Sequence, residues 1–181
     1  MWYADVRGFT PLADATEGSV LIEMLDDIFE TLTAALRPHD GQVLKFLGDG
    51  MLASFAFVDA TRDETCGRAL DAAVEAMRGL DRLNADRAQM GKPIATVDLA
   101  LHLGDVLYGN VGAVDRLDFT VIGPAVNEVA RIETLCEPLG HRVLVSSVLA
   151  AVIRDRTRLE PLGAHALRGV REAKEIFALR F

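Results

Sequence analysis

Apolar residues recur at three- and four-residue steps between Thr16 and Leu36, where Val20, Leu21, Met24, Leu25, Ile28, Phe29, Leu32 and Leu36 predict one long amphipathic helix ended by Pro38 and Gly41. Ahead of it the extended run Trp2 to Val6 meets Gly8, and Thr10 with Pro11 offers a helix start with a cap-type hydroxyl, so a strand turns into a helix there. Two strands follow, Gln42 to Leu47 and Met51 to Phe57, joined through Gly48, Asp49 and Gly50, whose Asp-Gly step is a strong hairpin signal. A second helix is predicted over Asp63 to Leu83, with Ala69, Leu70, Ala73, Met77, Leu80 and Leu83 on one side. The polar stretch Arg82 to Lys92 reads as a loop.

Val97, Leu99, Leu101 and Leu103 alternate as a half-buried strand, and Leu117 to Ile122 gives another, with Asp105 to Gly112 as the turn between them. Pro124 opens a helix through Leu135, closed by Pro138 and Gly140. Strand Arg142 to Val145, a short helix Val148 to Ile153, and strands near Leu159 to Leu162 and Glu175 to Leu179 complete the pattern. The order is a β-α-β-β-α-β core with additions at the carboxyl end. It implies an α+β fold, a mainly antiparallel sheet and helices on one face.

Composition narrows the functional classes. The 181 residues suit a single domain over 1–181, and half of them are apolar, enough for a sizeable core. With 19 Lys+Arg against 27 Asp+Glu the formal charge is −8, which disfavours nucleic acid or anionic lipid as a direct partner; a polyanionic ligand would need a cation beside it. Cys66 and Cys136 lie in apolar, helix-like surroundings without metal-ligand spacing and read as reduced thiols. The longest nearly apolar run, Met51 to Val58, is too short to span a bilayer, and Asp5 and Arg7 interrupt any signal-like start, so a cytoplasmic location is expected.

Asp5 ends a strand before a glycine turn, and Asp49 sits at a hairpin tip between two glycines. Singly, each reads as a cap or turn residue. Brought side by side by adjacent strands, two such carboxylates can hold hard divalent cations, Mg²⁺ being the usual choice where phosphate is present. The Gly8-Phe9-Thr10 turn adds backbone N–H groups at a helix start, which favour an anionic phosphate. Asn127 and Arg131, four apart on the helix opened by Pro124, share one face and can reach one ligand.

Ala4-Asp5-Val6-Arg7-Gly8-Phe9-Thr10, Lys45-Phe46-Leu47-Gly48-Asp49-Gly50, Leu101-His102-Leu103-Gly104-Asp105-Val106 with Gly109-Asn110-Val111-Gly112, and Phe119-Thr120-Val121-Ile122-Gly123 leading to Val126-Asn127-Glu128-Val129-Ala130-Arg131 resemble, in order, the signatures of class III nucleotidyl cyclase catalytic domains. Leu167-Arg168-Gly169-Val170 resembles that family's closing segment. The resemblance spans nearly the whole chain and implies the nucleotide cyclase fold, whose β-α-β-β-α-β core is ferredoxin-like. It also implies that Asp5 and Asp49 bind two Mg²⁺ ions, with Mn²⁺ able to substitute, that the Val6 carbonyl is a further ligand, and that the Phe9 and Thr10 amides lie near the β- and γ-phosphates. Asn127 would orient the ribose and Arg131 stabilise charge on the α-phosphate, a role suited to an always-protonated fork of donors.

The resemblance assigns base reading to Lys45 and Thr120. Lys at the first position marks adenylyl cyclases, because a cation suits the adenine N1 acceptor, whereas guanylyl cyclases commonly carry Glu; Lys45 therefore argues for ATP. Thr at the second position marks the subgroup that includes bicarbonate-responsive cyclases, where many members have Asp. In this family the site is shared across a head-to-tail dimer, the metal aspartates coming from one protomer and Lys45, Thr120, Asn127 and Arg131 from the other. The expectation is an adenylyl cyclase homodimer forming cyclic AMP, with sensor domains outside the chain. The alternatives are a catalytically silent cyclase-fold module and a guanylyl cyclase. Arg168 and Arg171 are both candidates for triphosphate contact, Pro124 stands where Asp or Asn is frequent, and the four residues ahead of Asp5 make a first strand short enough to pair poorly.

Overall fold

A computed structural model describes residues 1–113, 116–170 and 172–181. In chain order the elements are β1 (Trp2–Val6), α1 (Phe9–Ala15), α2 (Gly18–Leu36), β2 (Gln42–Leu47), β3 (Gly50–Ser54), α3 (Arg62–Gln89), β4 (Val97–Leu101), β5 (Leu107–Ala113), β6 (Arg116–Ile122), α4 (Pro124–Glu133), α5 (Cys136–Leu139), β7 (Val143–Ser146), α6 (Ser147–Ala150), β8 (Leu159–His165) and β9 (Lys174–Leu179). Seven strands form one sheet in the order β2-β3-β1-β4-β7-β9-β8, and β5 with β6 forms a separate two-stranded ribbon. Among the described residues only the β4–β7 pair is parallel.

The period-two rule divides this sheet into two faces. Trp2, Ala4 and Val6 of β1 join Met51 and Ala53 of β3 and Val97, Leu99 and Leu101 of β4 beneath α2 and α3, so the two long helices of the core lie together on one face. Leu52, Ala100 and Leu144 point the other way and are covered by Val129, Ile132 and Cys136 of α4 and α5, which follow the core in sequence. Cover on both faces explains why β3, β4 and β7 are buried along their whole lengths. Both cysteines are buried and free, and burial pushes both thiols up from their ordinary pKa.

Several elements differ from their sequence-based expectations. The short β1 pairs well, over three positions with β3 and five with β4, because its three inward side chains are fully apolar and both neighbours flank it. Gly8, in the left-handed region at φ 64°, occupies the cap position of α1, so the Thr10 hydroxyl lies within the first turn instead of capping it. The presumed loop after Leu83 is helix as far as Gln89. Its polar residues make tertiary contacts there: Arg87, 1% exposed, is ion-paired with Asp27 of α2 and donates from Nε to the Pro93 carbonyl at 2.8 Å. Asn84 exchanges hydrogen bonds with the Ala95 backbone, its amide donating to the carbonyl at 2.8 Å and its oxygen accepting from the N–H at 3.2 Å. Within the presumed turn Asp105 to Gly112 lies strand β5, whose pairing with β6 runs from Leu107↔Ile122 to Ala113↔Arg116.

Candidate active site

Paired positions in an antiparallel sheet point to the same face, so the register runs a row of side chains from Lys45 through Leu52, Tyr3 and Ala100. Asp5, two residues beyond Tyr3 on β1, lies on that face opposite Asp98 of β4. Two strand spacings and two residue rises put the Lys45 and Asp5 backbones about 12 Å apart.

Asp5 and Asp49 meet at the β1 end of this face. Gly50, the residue after Asp49, is buried, and a Cβ built there would lie 2.8 Å from Asp5 Oδ1 and 2.9 Å from the Tyr3 hydroxyl. The bare glycine is therefore what admits the Asp5 carboxyl. Asp5 has its pKa raised to about 6, by burial first and by the Asp49 carboxylate second. Like charges held together in this way call for a counter-cation. Among the described residues no group of three or more His, Cys, Asp and Glu side chains could hold a metal ion. The pair matches what Mg²⁺ takes, namely one or two carboxylates with the remaining positions left to water and phosphate. Val6 turns its side chain into the opposite core, which leaves its carbonyl at the strand end between Asp5 and the Gly8 turn.

Phe9 and Thr10 open α1 and are followed by Pro11, which has no N–H, so theirs are the two amides of the first turn without intrahelical acceptors. Lys45 and Thr120 come together: with Leu44, Leu47, Leu52, Tyr108, Val121 and Val126 they line one mostly apolar cleft of roughly 190 Å³. Apolar walls with two polar groups of different chemistry suit a flat heterocycle. Asn127 is exposed and Arg131 half-buried, one turn apart on α4. Arg168 is exposed in the closing turn, and Arg171 lies outside the described residues.

Three features of this face escaped the sequence reading. Glu133 is 8% exposed, and burial followed by the charges of Asp5 and Asp98 pushes its pKa up to about 8. Its signal was present, since Ala125, Val129 and Glu133 are successive fourth residues on the buried stripe of α4. Arg7 donates from Nε and Nη2 to the two oxygens of the buried Asp98 at 2.7 and 2.6 Å, and from Nη2 to the His141 carbonyl at 3.3 Å. This fork keeps the carboxylate opposite Asp5 compensated. Tyr108, from the ribbon, places its hydroxyl 3.1 Å from Ser54 Oγ and forms a wall of the Lys45 cleft.

Apolar side chains are exposed on the β2–β3 hairpin, at Phe46 and Leu47, and on the ribbon, at Leu107, Tyr108, Val111 and Ile122; of these Leu47 and Tyr108 line the cleft, while the Phe46 ring turns to Phe29 of α2 on the other face. A two-stranded ribbon with this much apolar surface in water is marginal by itself.

Residues 1–180 match the adenylate and guanylate cyclase catalytic domain. A curated relative from Rhizobium meliloti, named adenylate cyclase 1, is 30% identical over 178 residues, covering 97% of this chain and 26% of that protein. The chain thus spans about a quarter of its length. The crystal structure of the adenylyl cyclase CyaB from P. aeruginosa superposes with a TM-score of 0.81 at 22% identity, over 99% of this chain and 92% of that one. The guanylyl cyclase Cya2 gives 0.80 at 23% identity, over 98% and 89%. At such identities the structural likeness is one of fold, the nucleotide cyclase fold, while the match along nearly the whole sequence carries the assignment: the chain belongs to the adenylate/guanylate cyclase catalytic domain family.

Proposed function

We propose that residues 1–181 are a single adenylyl cyclase domain that converts ATP to 3′,5′-cyclic AMP and pyrophosphate at sites shared by two copies of the chain in the cytoplasm. The observation that carries this reading is the common cleft of Lys45 and Thr120, on the sheet face that also bears Asp5. Lys45 donates to adenine N1, and the Thr120 hydroxyl accepts from the N6 amine. Guanine presents N–H donors at the corresponding edge, which a lysine does not satisfy.

Asp5 and Asp49, with the Val6 carbonyl, hold two Mg²⁺ ions, for which Mn²⁺ can substitute. Such ions neutralise triphosphate charge and make the ribose 3′-hydroxyl more acidic. The Phe9 and Thr10 amides donate to the terminal phosphates, and Asn127 holds the ribose so that its 3′-oxygen faces the α-phosphorus. Arg131 donates to the α-phosphate oxygens as charge builds. The 3′-O–P bond forms as the bond to the bridging oxygen breaks; pyrophosphate departs, and the hydroxyl proton passes to water. The exposed apolar ribbon and hairpin supply the surface on which a second copy would dock.

The test is to incubate purified protein with Mg²⁺ and either ATP or GTP over a wide range of protein concentration. Cyclic AMP formed from ATP with specific activity rising with concentration is the expected result. Preferential turnover of GTP makes the domain a guanylyl cyclase, and the absence of product at every concentration makes it a silent module.

A further inference from the structure

Arg131 rests against the closing turn of its own chain. Leu167 to Val170 form a β-turn in which the Val170 N–H donates to the Leu167 carbonyl at 3.0 Å. Gly169, third in the turn, has φ 74°, the left-handed value that a type II turn requires there. A Cβ built on Gly169 would lie 3.4 Å from Arg131 Nη2 and 3.7 Å from both Cζ and Nη1. The guanidinium fork therefore lies over Gly169 at a distance that leaves a Cβ in ordinary contact, so that atoms beyond a Cβ on that side would displace it.

The turn is bolted to the helix that carries the arginine. Leu167 is 3% exposed in the same apolar cluster as Val129 and Ile132 of α4, and Val170 packs against that cluster from the other side of the glycine. Turn and helix thus form one packed unit, and the long arginine side chain, otherwise free to sample many rotamers, has a fixed surface to lie on.

We infer that Gly169 is a positioning residue: by lacking a side chain it provides the seat that aims the Arg131 guanidinium. This rests on the reading of Arg131 as the group that meets the α-phosphate. The arginine touches the substrate, and the glycine acts only through it. A misplacement of about 1 Å at a catalytic group can cost up to about 100-fold in rate, so the seat bears on kcat more than on KM.

Gly169→Asn is the informative variant, because asparagine tolerates the left-handed backbone while filling the seat. It is expected to lower kcat by about 10-fold or more with KM for ATP within about two-fold. Gly169→Ala, whose Cβ only touches the fork, should lose less. In an Arg131→Ala background, Gly169→Asn should change kcat no further. An unchanged kcat in Gly169→Asn, or an equal fold-loss in both backgrounds, overturns the inference. Thermal melts give a readout independent of turnover: the Tm shift caused by Gly169→Asn should differ between the Arg131 and Arg131→Ala backgrounds, and identical shifts count against the seat. Should Arg131→Ala leave kcat intact, it is the functional reading that fails, and the melts still decide whether the fork sits on the glycine.

Discussion

Replacing Gly50 by alanine probes the metal-side carboxylate through its neighbour. The added Cβ would lie 2.8 Å from Asp5 Oδ1, 2.9 Å from the Tyr3 hydroxyl and 3.1 Å from the Ala4 carbonyl oxygen, where ordinary contact begins at 3.4 Å. The Ala4 oxygen belongs to a strand paired on both sides and has little room to retreat, so the Asp5 carboxyl and the Tyr3 hydroxyl must give way, the carboxyl by about 0.6 Å to regain ordinary contact. Gly50 is not among the residues with left-handed φ, and backbone strain adds nothing to the cost. Overpacking of this kind costs about 1–3 kcal/mol. For a domain of this size that is roughly 2–12 °C in Tm. The displaced carboxylate should also cut turnover by roughly 10- to 100-fold and blunt the rise in Tm on adding Mg²⁺. Calorimetry with and without Mg²⁺, beside a cyclic AMP assay, measures all three. A Gly50→Ala chain with wild-type Tm and an undiminished Mg²⁺ response would refute the crowded geometry at Asp5.

Two further outcomes follow from the same face. Asp5 and Glu133 both titrate higher in the folded chain, at about 6 and about 8, than carboxyls do in an unfolded one, so the folded state holds the extra protons and its stability falls as pH rises through those values. Because the amino terminus and His102 are shifted downward and act in the opposite sense, the readout is a difference: in melts without divalent cation wild type should lose Tm relative to Glu133→Gln as pH rises from about 5 to about 8, and parallel curves would contradict the buried environment of Glu133. Lys45→Glu replaces a donor to adenine N1 with an acceptor and should erode kcat/KM for ATP by roughly 10- to 150-fold, equivalent to about 1.5–3 kcal/mol. An unchanged ratio of ATP to GTP turnover would show that Lys45 does not face the base.

The sequence was most legible where one physical rule governed a segment. The apolar stripe from Val20 to Leu36 coincides with α2, and the Asp-Gly step lies at the β2–β3 turn, because burial of one helix face and the backbone freedom of glycine are local properties. The end of α3 was hidden because Asn84 and Arg87 satisfy their polar groups with the backbone of residues 93 and 95, a contact that no helical period encodes. Strand β5 was hidden because Gly109, Asn110 and Gly112 are poor strand formers, held extended there by the pairing with β6. At the candidate site, the positions of Asp5 and Asp49 could be anticipated from adjacent strands. The Arg7–Asp98 fork and the Gly169 seat depend on approaches between segments 91 and 38 residues apart, which composition and spacing do not report.

The central claim, that one copy supplies the carboxylates and the other the base- and phosphate-binding groups, is tested most directly by mixing two chains of strongly reduced activity, Asp49→Ala and Arg131→Ala. Random pairing at equal amounts makes half of the dimers mixed, each with one intact site of two, so the account predicts recovery of about one quarter of wild-type activity. Mixed dimers verified by mass spectrometry that form no cyclic AMP would contradict it.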